Sequence, residues 1–266
     1  MKRWVRTIAL VAVLAILAPI QFIDAATKSN MRLDELSSGI IIVDYESTSG
    51  ADVKVRIAKG SEYYTYDMTG YNRFPLQMGD GTYEVMILEQ VTDTRYRLVE
   101  KQSVSFQQGE GEQTVYLQSI QNIQWDESSE AVHKAAELVE QAESEQEKLN
   151  AIYDFVIQHV AYDEEKARAV TSGYIPSVSD TYEDQQGICY DYAALLAAML
   201  RSAGIPTKLM MGYTEQIEGY HAWNEVYLDG EWVIIDPTVD AAYADSKQDM
   251  PPMVKEAEQY KADKHY

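Results

Sequence analysis

The apolar residues of this chain change period once, near residue 124, and that change divides it into two unlike parts. From residue 30 to about 120 they alternate with polar residues in short runs: "GIIIVDYES", "DVKVRIAKG", "EYYTYDMTG", "GTYEVMILEQ", "RYRLVEKQSVSF" and "TVYLQ". Gly50, Gly60, "GDG" and "GEGE" separate these runs. A period of two fits a strand with one face on a core, and Tyr83, Val85 and Ile87 would share such a face. The pattern predicts a small all-β antiparallel sandwich, immunoglobulin-like, over residues 30–122. Past Trp125 the spacing turns helical. Val132, Ala135, Val139 and Ala142 form one stripe, and Leu149, Ile152, Val156 and Val160 form the next, behind the capping pair Ser144 and Glu147. The chain therefore reads as multidomain, with a mixed α and β domain over residues 125–245 and a polar, weakly patterned tail over 246–266.

Residues 1–25 read as a signal peptide. Lys2, Arg3 and Arg6 precede the apolar run "TIALVAVLAILAPI", and Ala25 and Ala26 offer a small-residue cleavage site. An uncleaved anchor is the competing reading, because Thr7 to Ile23 is 17 mostly apolar residues, at the short limit for a membrane span. Pro19 and Gln21 interrupt that run and favour cleavage. A secreted or extracytoplasmic location at the cell surface follows, with no integral membrane partner after cleavage. The net charge of −21 repels nucleic acid and anionic lipid, so neither is an expected partner. Loss of the leader removes three bases and one acid, which makes the charge more negative still.

Export gives weight to the cysteine count. Structural cysteines in oxidising compartments come in pairs, yet this chain has one, Cys189, in "QQGICYDYAALLAAML". The thiol is either inert in a core or kept for its reactivity. Cys189, Ala193, Leu196, Ala197 and Leu200 share a helical face, Arg201 suits the last turn, and Gly204 and Pro206 stop the helix. Cys189 thus falls in the first turn, where unpaired N–H groups and partial positive charge stabilise a thiolate. Asp191, two residues away, opposes this charge. Upstream, "TSGYIPSVSDTYEDQQG" reads as a loop.

Partners for the thiol come from a hairpin. In "YHAWNEVYLDGEWVIIDPT" two β-rich runs flank Asp229-Gly230, the strongest short hairpin signal. A two-residue turn pairs Leu228 with Glu231 and sets Trp223 opposite Asp236, with His221 on the same face as Trp223. His221 and Asp236 become diagonal neighbours within hydrogen-bonding reach. A thiol, an imidazole to take its proton and a carboxylate to orient that imidazole form a nucleophilic acyl-transfer set. The Cys189 N–H is one oxyanion donor; Gln185, Gln186, Tyr162 and Tyr174 are candidates for a second. Trp223, beside the imidazole, is a pocket candidate. A zinc site on Cys189, His221 and Asp236 lacks paired ligand spacing, and His133 and His159 also lack metal partners, so no metal is expected.

"GICYDYAALLAAMLRSAGIPTKLMMGY" followed by "YHAWNEVYLDGEWVIIDPT" resembles the transglutaminase-like superfamily core of bacterial exported proteins: G-x-C-x-D-[YF]-A, R-x-x-G-I-P, H-A-W and W-x-x-x-D-P-T in order. The resemblance spans about residues 130 to 240, and "AIYDFVIQHVAYD" is similar to the helix and Tyr-Asp segment that precede such a core. It implies an α+β papain-like fold, with Cys189 as nucleophile, His221 as general base and acid, Asp236 as orienter, and no cofactor. The function it implies is acyl transfer at protein or peptide amide bonds through an acyl-enzyme on Cys189. A cell-envelope cysteine peptidase or amidase and a non-catalytic surface-binding protein are the alternatives. The expected partner is a protein or peptide substrate, cell-envelope material included.

Overall fold

The structure, a computed structural model, describes residues 29–109, 113–246 and 250–266. The signal-peptide reading falls on residues 1–25 and so lies outside the described residues. Among the described residues no helix is long and apolar enough to cross a membrane.

The first part consists of strands only, apart from short 3-10 turns. A three-stranded antiparallel sheet pairs β1 (Met31–Arg32), β2 (Ile40–Val43) and β5 (Arg73–Pro75) in that order. A four-stranded antiparallel sheet runs β4 (Glu62–Asp67), β3 (Val53–Lys59), β6 (Gly81–Thr92), β7 (Arg95–Phe106). Alternation places Val55 and Ile57 of β3 and Tyr83, Val85 and Ile87 of β6 on one buried face. That face shares one apolar cluster with Ile41, Val43 and Phe74 of the smaller sheet. In β2 all four residues of "IIIV" are buried. Ile41 and Val43 face this cluster, whereas Ile40 and Ile42 join the core of the second part beside Ile120 and Ile123. A strand apolar on both faces must be covered on both, so the small sheet lies between two cores and holds the parts together.

The second part surrounds one helix. α1 (Glu130–Leu138), α2 (Glu145–His159), α4 (Val178–Asp184) and α6 (Pro237–Ser246) pack on α5 (Cys189–Ser202), and a sheet covers its remaining side. Every α5 residue from Tyr190 to Arg201 is buried, as "ALLAAML", apolar all round, demands. The sheet order is β13-β12-β11-β10-β14, all antiparallel, from β10 (Thr207–Thr214), β11 (His221–Leu228), β12 (Glu231–Ile235), β13 (Val254–Lys255) and β14 (Tyr260–His265). The short strands β8 (Ala161–Tyr162) and β9 (Gln186–Gly187) pair in parallel, and α3 (Glu164–Ala169) follows β8.

Three sequence expectations are revised. The first helix buries Ala131 and Ala135 and stops at Leu138, so Val139 and Ala142 lie beyond it; Ser129 caps its start and fixes that phase. The loop before Cys189 contains α4, capped by Ser177 and burying Val178 and Thr181, too short for its period to register. The polar tail supplies β13 and β14, the two edges of the sheet, where solvent on one side lets strands stay polar.

Candidate active site

Cys189 opens α5, where first-turn N–H groups have no acceptor within the helix. Asp191 fixes the approach to it. One carboxylate oxygen accepts the Ile188 N–H at 2.8 Å and lies 2.7 Å from Lys166 Nζ, and the other accepts the Tyr174 hydroxyl. The charge that Asp191 would set against a thiolate is thus matched by Lys166. The chain passes so near this carboxylate that a Cβ on Gly187 would stand 2.6 Å from the Asp191 Cβ. Only glycine fits there, which accounts for the glycine two residues before the thiol.

The hairpin has the predicted register. Leu228 pairs with Glu231 and Asn224 with Ile235, across Asp229 and Gly230 at φ of 51° and 91°. That turn brings His221 Nε2 to 2.8 Å from Asp236 Oδ2, with both side chains buried. The other ring nitrogen, Nδ1, finds no hydrogen-bond partner among the described residues. Burial pushes the imidazole pKa down, but the hydrogen bond to Asp236 and the nearby charges of Asp236 and Cys189 outweigh it and raise the value to about 9. The thiol therefore lies near the imidazole.

Asp236 is itself held. Its Oδ2 also accepts the Tyr260 hydroxyl at 2.9 Å, and its Oδ1 accepts the Val239 N–H at 3.2 Å. Trp223 lies stacked beside the imidazole, ring centroids 6.2 Å apart, and is buried.

Of the other candidates, Tyr162 lines the cleft that contains Cys189, and burial together with the charge of Cys189 pushes its phenol pKa up. Tyr174 donates to Asp191 and is thereby committed. Gln185 and Gln186 are exposed, and neither is among the residues lining the two clefts at Cys189. Gln185 ends α4 with a left-handed φ of 52°, and Gln186 pairs with Ala161 in β9. Sequence reasoning missed Tyr260 and Lys166. Neither belongs to a local pattern; each reaches the site through tertiary placement.

Two clefts, of 970 and 590 Å³, meet at Cys189, Tyr220 and His221 and make one trough across the thiol. Tyr162, Ile217 and Val239 line the first arm. Thr65, Tyr66 and Asp67 of β4 line the second together with Asn122 and Tyr174, so the first part of the chain walls this arm. Among the described residues no group of three or more His, Cys, Asp or Glu side chains is arranged to hold a metal ion.

Residues 132–237, which include Cys189, His221 and Asp236, match the model of the Transglutaminase-like superfamily. The chain carries a transglutaminase-like core. Kyphoscoliosis peptidase of Mus musculus is 31% identical over 123 residues, covering 42% of this chain and 18% of that protein. The Homo sapiens protein of the same name is 30% identical over 126 residues, with the same shares. The chain thus spans under a fifth of these relatives' length. The periplasmic domain of TgpA from Pseudomonas aeruginosa is a structural neighbour, 16% identical, with 80% of this chain and 93% of that one covered and a TM-score of 0.41. Residues 132–237 form a mixed α and β core.

Proposed function

We propose that this protein is an extracytoplasmic thiol enzyme that takes an acyl group from a carboxamide or peptide carbonyl of a polypeptide and passes it to an amine. The His221 Nε2 contact with Asp236 carries the reading, because it leaves Nδ1 for the thiol at a helix N-terminus. The basic leader supports export, and a trough open on both sides of the thiol suits an extended chain rather than a small molecule. The first part, an immunoglobulin-like module in this reading, adds its β4 edge to the substrate wall.

In the first step Cys189 Sγ, with its proton on His221, attacks the carbonyl carbon. A C–S bond forms, and the electron pair moves to oxygen, where the Cys189 N–H and the Tyr162 hydroxyl donate to it. As the carbonyl re-forms the C–N bond breaks, and His221 returns the proton to the leaving amine or ammonia. An incoming amine then attacks the thioester and gives its proton to His221, and the product leaves Cys189 as thiolate. Water as acceptor gives hydrolysis, the reading that the relatives named peptidases favour.

Casein incubated with a labelled primary amine tests this. Label incorporation that is lost in Cys189→Ala supports acyl transfer, fragments without label support hydrolysis, and neither product would overturn both.

The pH dependence follows from His221. Its pKa, raised from 6.5 to about 9, keeps the imidazolium at neutral pH. That stabilisation is complete below 6.5 and is lost as pH rises through about 9. We therefore expect kcat/KM to fall along an alkaline limb near pH 9. Asp236→Asn removes the carboxylate charge and should move this limb down by about one unit or more. A limb that stays in place would exclude Asp236 as its source.

A further inference from the structure

We propose that Tyr260 is a positioning residue for the Asp236–His221 pair, brought to it by β14. The proposal rests on the reading of that pair above and concerns a residue outside the segment 132–237 that matches the family. Two contacts carry it. The Tyr260 hydroxyl donates at 2.9 Å to Asp236 Oδ2, the oxygen that also meets His221 Nε2. The Tyr260 ring packs on Trp223 with centroids 5.1 Å apart, and Trp223 in turn stacks on the imidazole. One residue thus grips both the orienting carboxylate and the indole beside the imidazole.

The strand that bears Tyr260 is held at both ends. β14 pairs with β10 from Thr214 opposite Tyr260 to Met210 opposite His265, with a register shift between Met211 and Gly212. The strands approach so closely there that a Cβ on Gly212 would stand 2.1 Å from the Lys261 carbonyl oxygen. At the far end His265 Nε2 lies 3.2 Å from the Gln77 carbonyl oxygen, and the Tyr64 ring meets those of His265 and Tyr266 edge-on at 6.1 and 5.8 Å. The N-terminal sheets therefore anchor the strand whose first residue fixes the carboxylate.

A neutral donor on Oδ2 draws off part of the carboxylate charge that would otherwise act on the imidazole, and it stops the carboxylate from turning. The groups facing this network are Cys189 on α5, Asp236 after β12, the Asp240–Lys255 ion pair joining α6 to β13, and Tyr260 itself.

The Tyr260→Phe protein keeps the ring and loses the donor. NMR titration of the His221 imidazole, assigned with His221→Gln, reads the effect without any substrate. We expect the His221 midpoint in Tyr260→Phe to rise by about half a unit. We also expect kcat for casein labelling to fall about tenfold with KM unchanged, by comparison with the smaller effects of groups that act only through another residue. A midpoint unchanged or lowered in a variant with a native-like spectrum overturns the proposal. If the wild-type protein labels no casein, the acyl-transfer reading fails, and the titration still decides the role of Tyr260.

Discussion

His221→Ala is expected to stay folded and to lose about 10³-fold or more in kcat for amine incorporation, with little change in KM. The imidazole has two tasks in the proposed cycle: it takes the thiol proton and later delivers one to the leaving amine. Alanine removes both. The variant should nevertheless fold, because Asp236 keeps the Tyr260 hydroxyl and the Val239 N–H as donors, and removing one hydrogen-bonding partner at a buried site costs about 1 to 3 kcal/mol. Steady-state labelling beside a thermal melt separates the two effects. Retained turnover in a folded His221→Ala protein would remove the imidazole from the mechanism.

The largest effect on stability is expected at Arg201, far from the chemistry. This buried guanidinium donates to three main-chain oxygens: Thr207 at 2.9 Å, Gln118 at 2.6 Å and Tyr266 at 3.0 Å. It thereby ties α5 to the connecting segment, to the start of β10 and to the residue after β14. Arg201→Met conserves much of the volume but removes the donor from three main-chain oxygens, of which the Tyr266 oxygen still accepts the Leu209 N–H at 2.9 Å. Relief from desolvating the cation offsets part of that loss, and a net destabilisation of about 3 kcal/mol remains, or about 10 °C in Tm. Arg168→Ala, which breaks the exposed pair with Glu164 on α3, should change stability by less than about 0.5 kcal/mol. Urea or thermal unfolding of the two variants checks this, and equal effects would contradict the ranking.

What could be read from the sequence were features with a local cause. Asp229-Gly230 adopts the left-handed turn that fixes the register, and from this register alone follows the meeting of His221 with Asp236. The apolar run of α5 and its stop at Gly204 place Cys189 at a helix start for equally local reasons. Features that depend on tertiary pairing were hidden. β14 is a polar edge strand, and "EQYKADKHY" has no alternation to announce it, so the hydroxyl that holds Asp236 was not legible. Lys166 reaches Asp191 from a six-residue helix with no stripe of its own. β2 read as one strand of a separate sandwich, whereas its two faces serve two cores and tie the parts together. Gln185 and Gln186 are exposed and do not line the clefts at Cys189, a matter of tertiary placement that their local sequence does not show.

The central claim is that Cys189 is an activated nucleophile rather than an inert lone thiol, and its alkylation by iodoacetamide at pH 7 tests this most directly. The rate should exceed that of free cysteine under the same conditions, and His221→Ala should slow it. A Cys189 in the folded protein that reacts no faster than free cysteine, and whose rate His221→Ala leaves unchanged, would contradict the account.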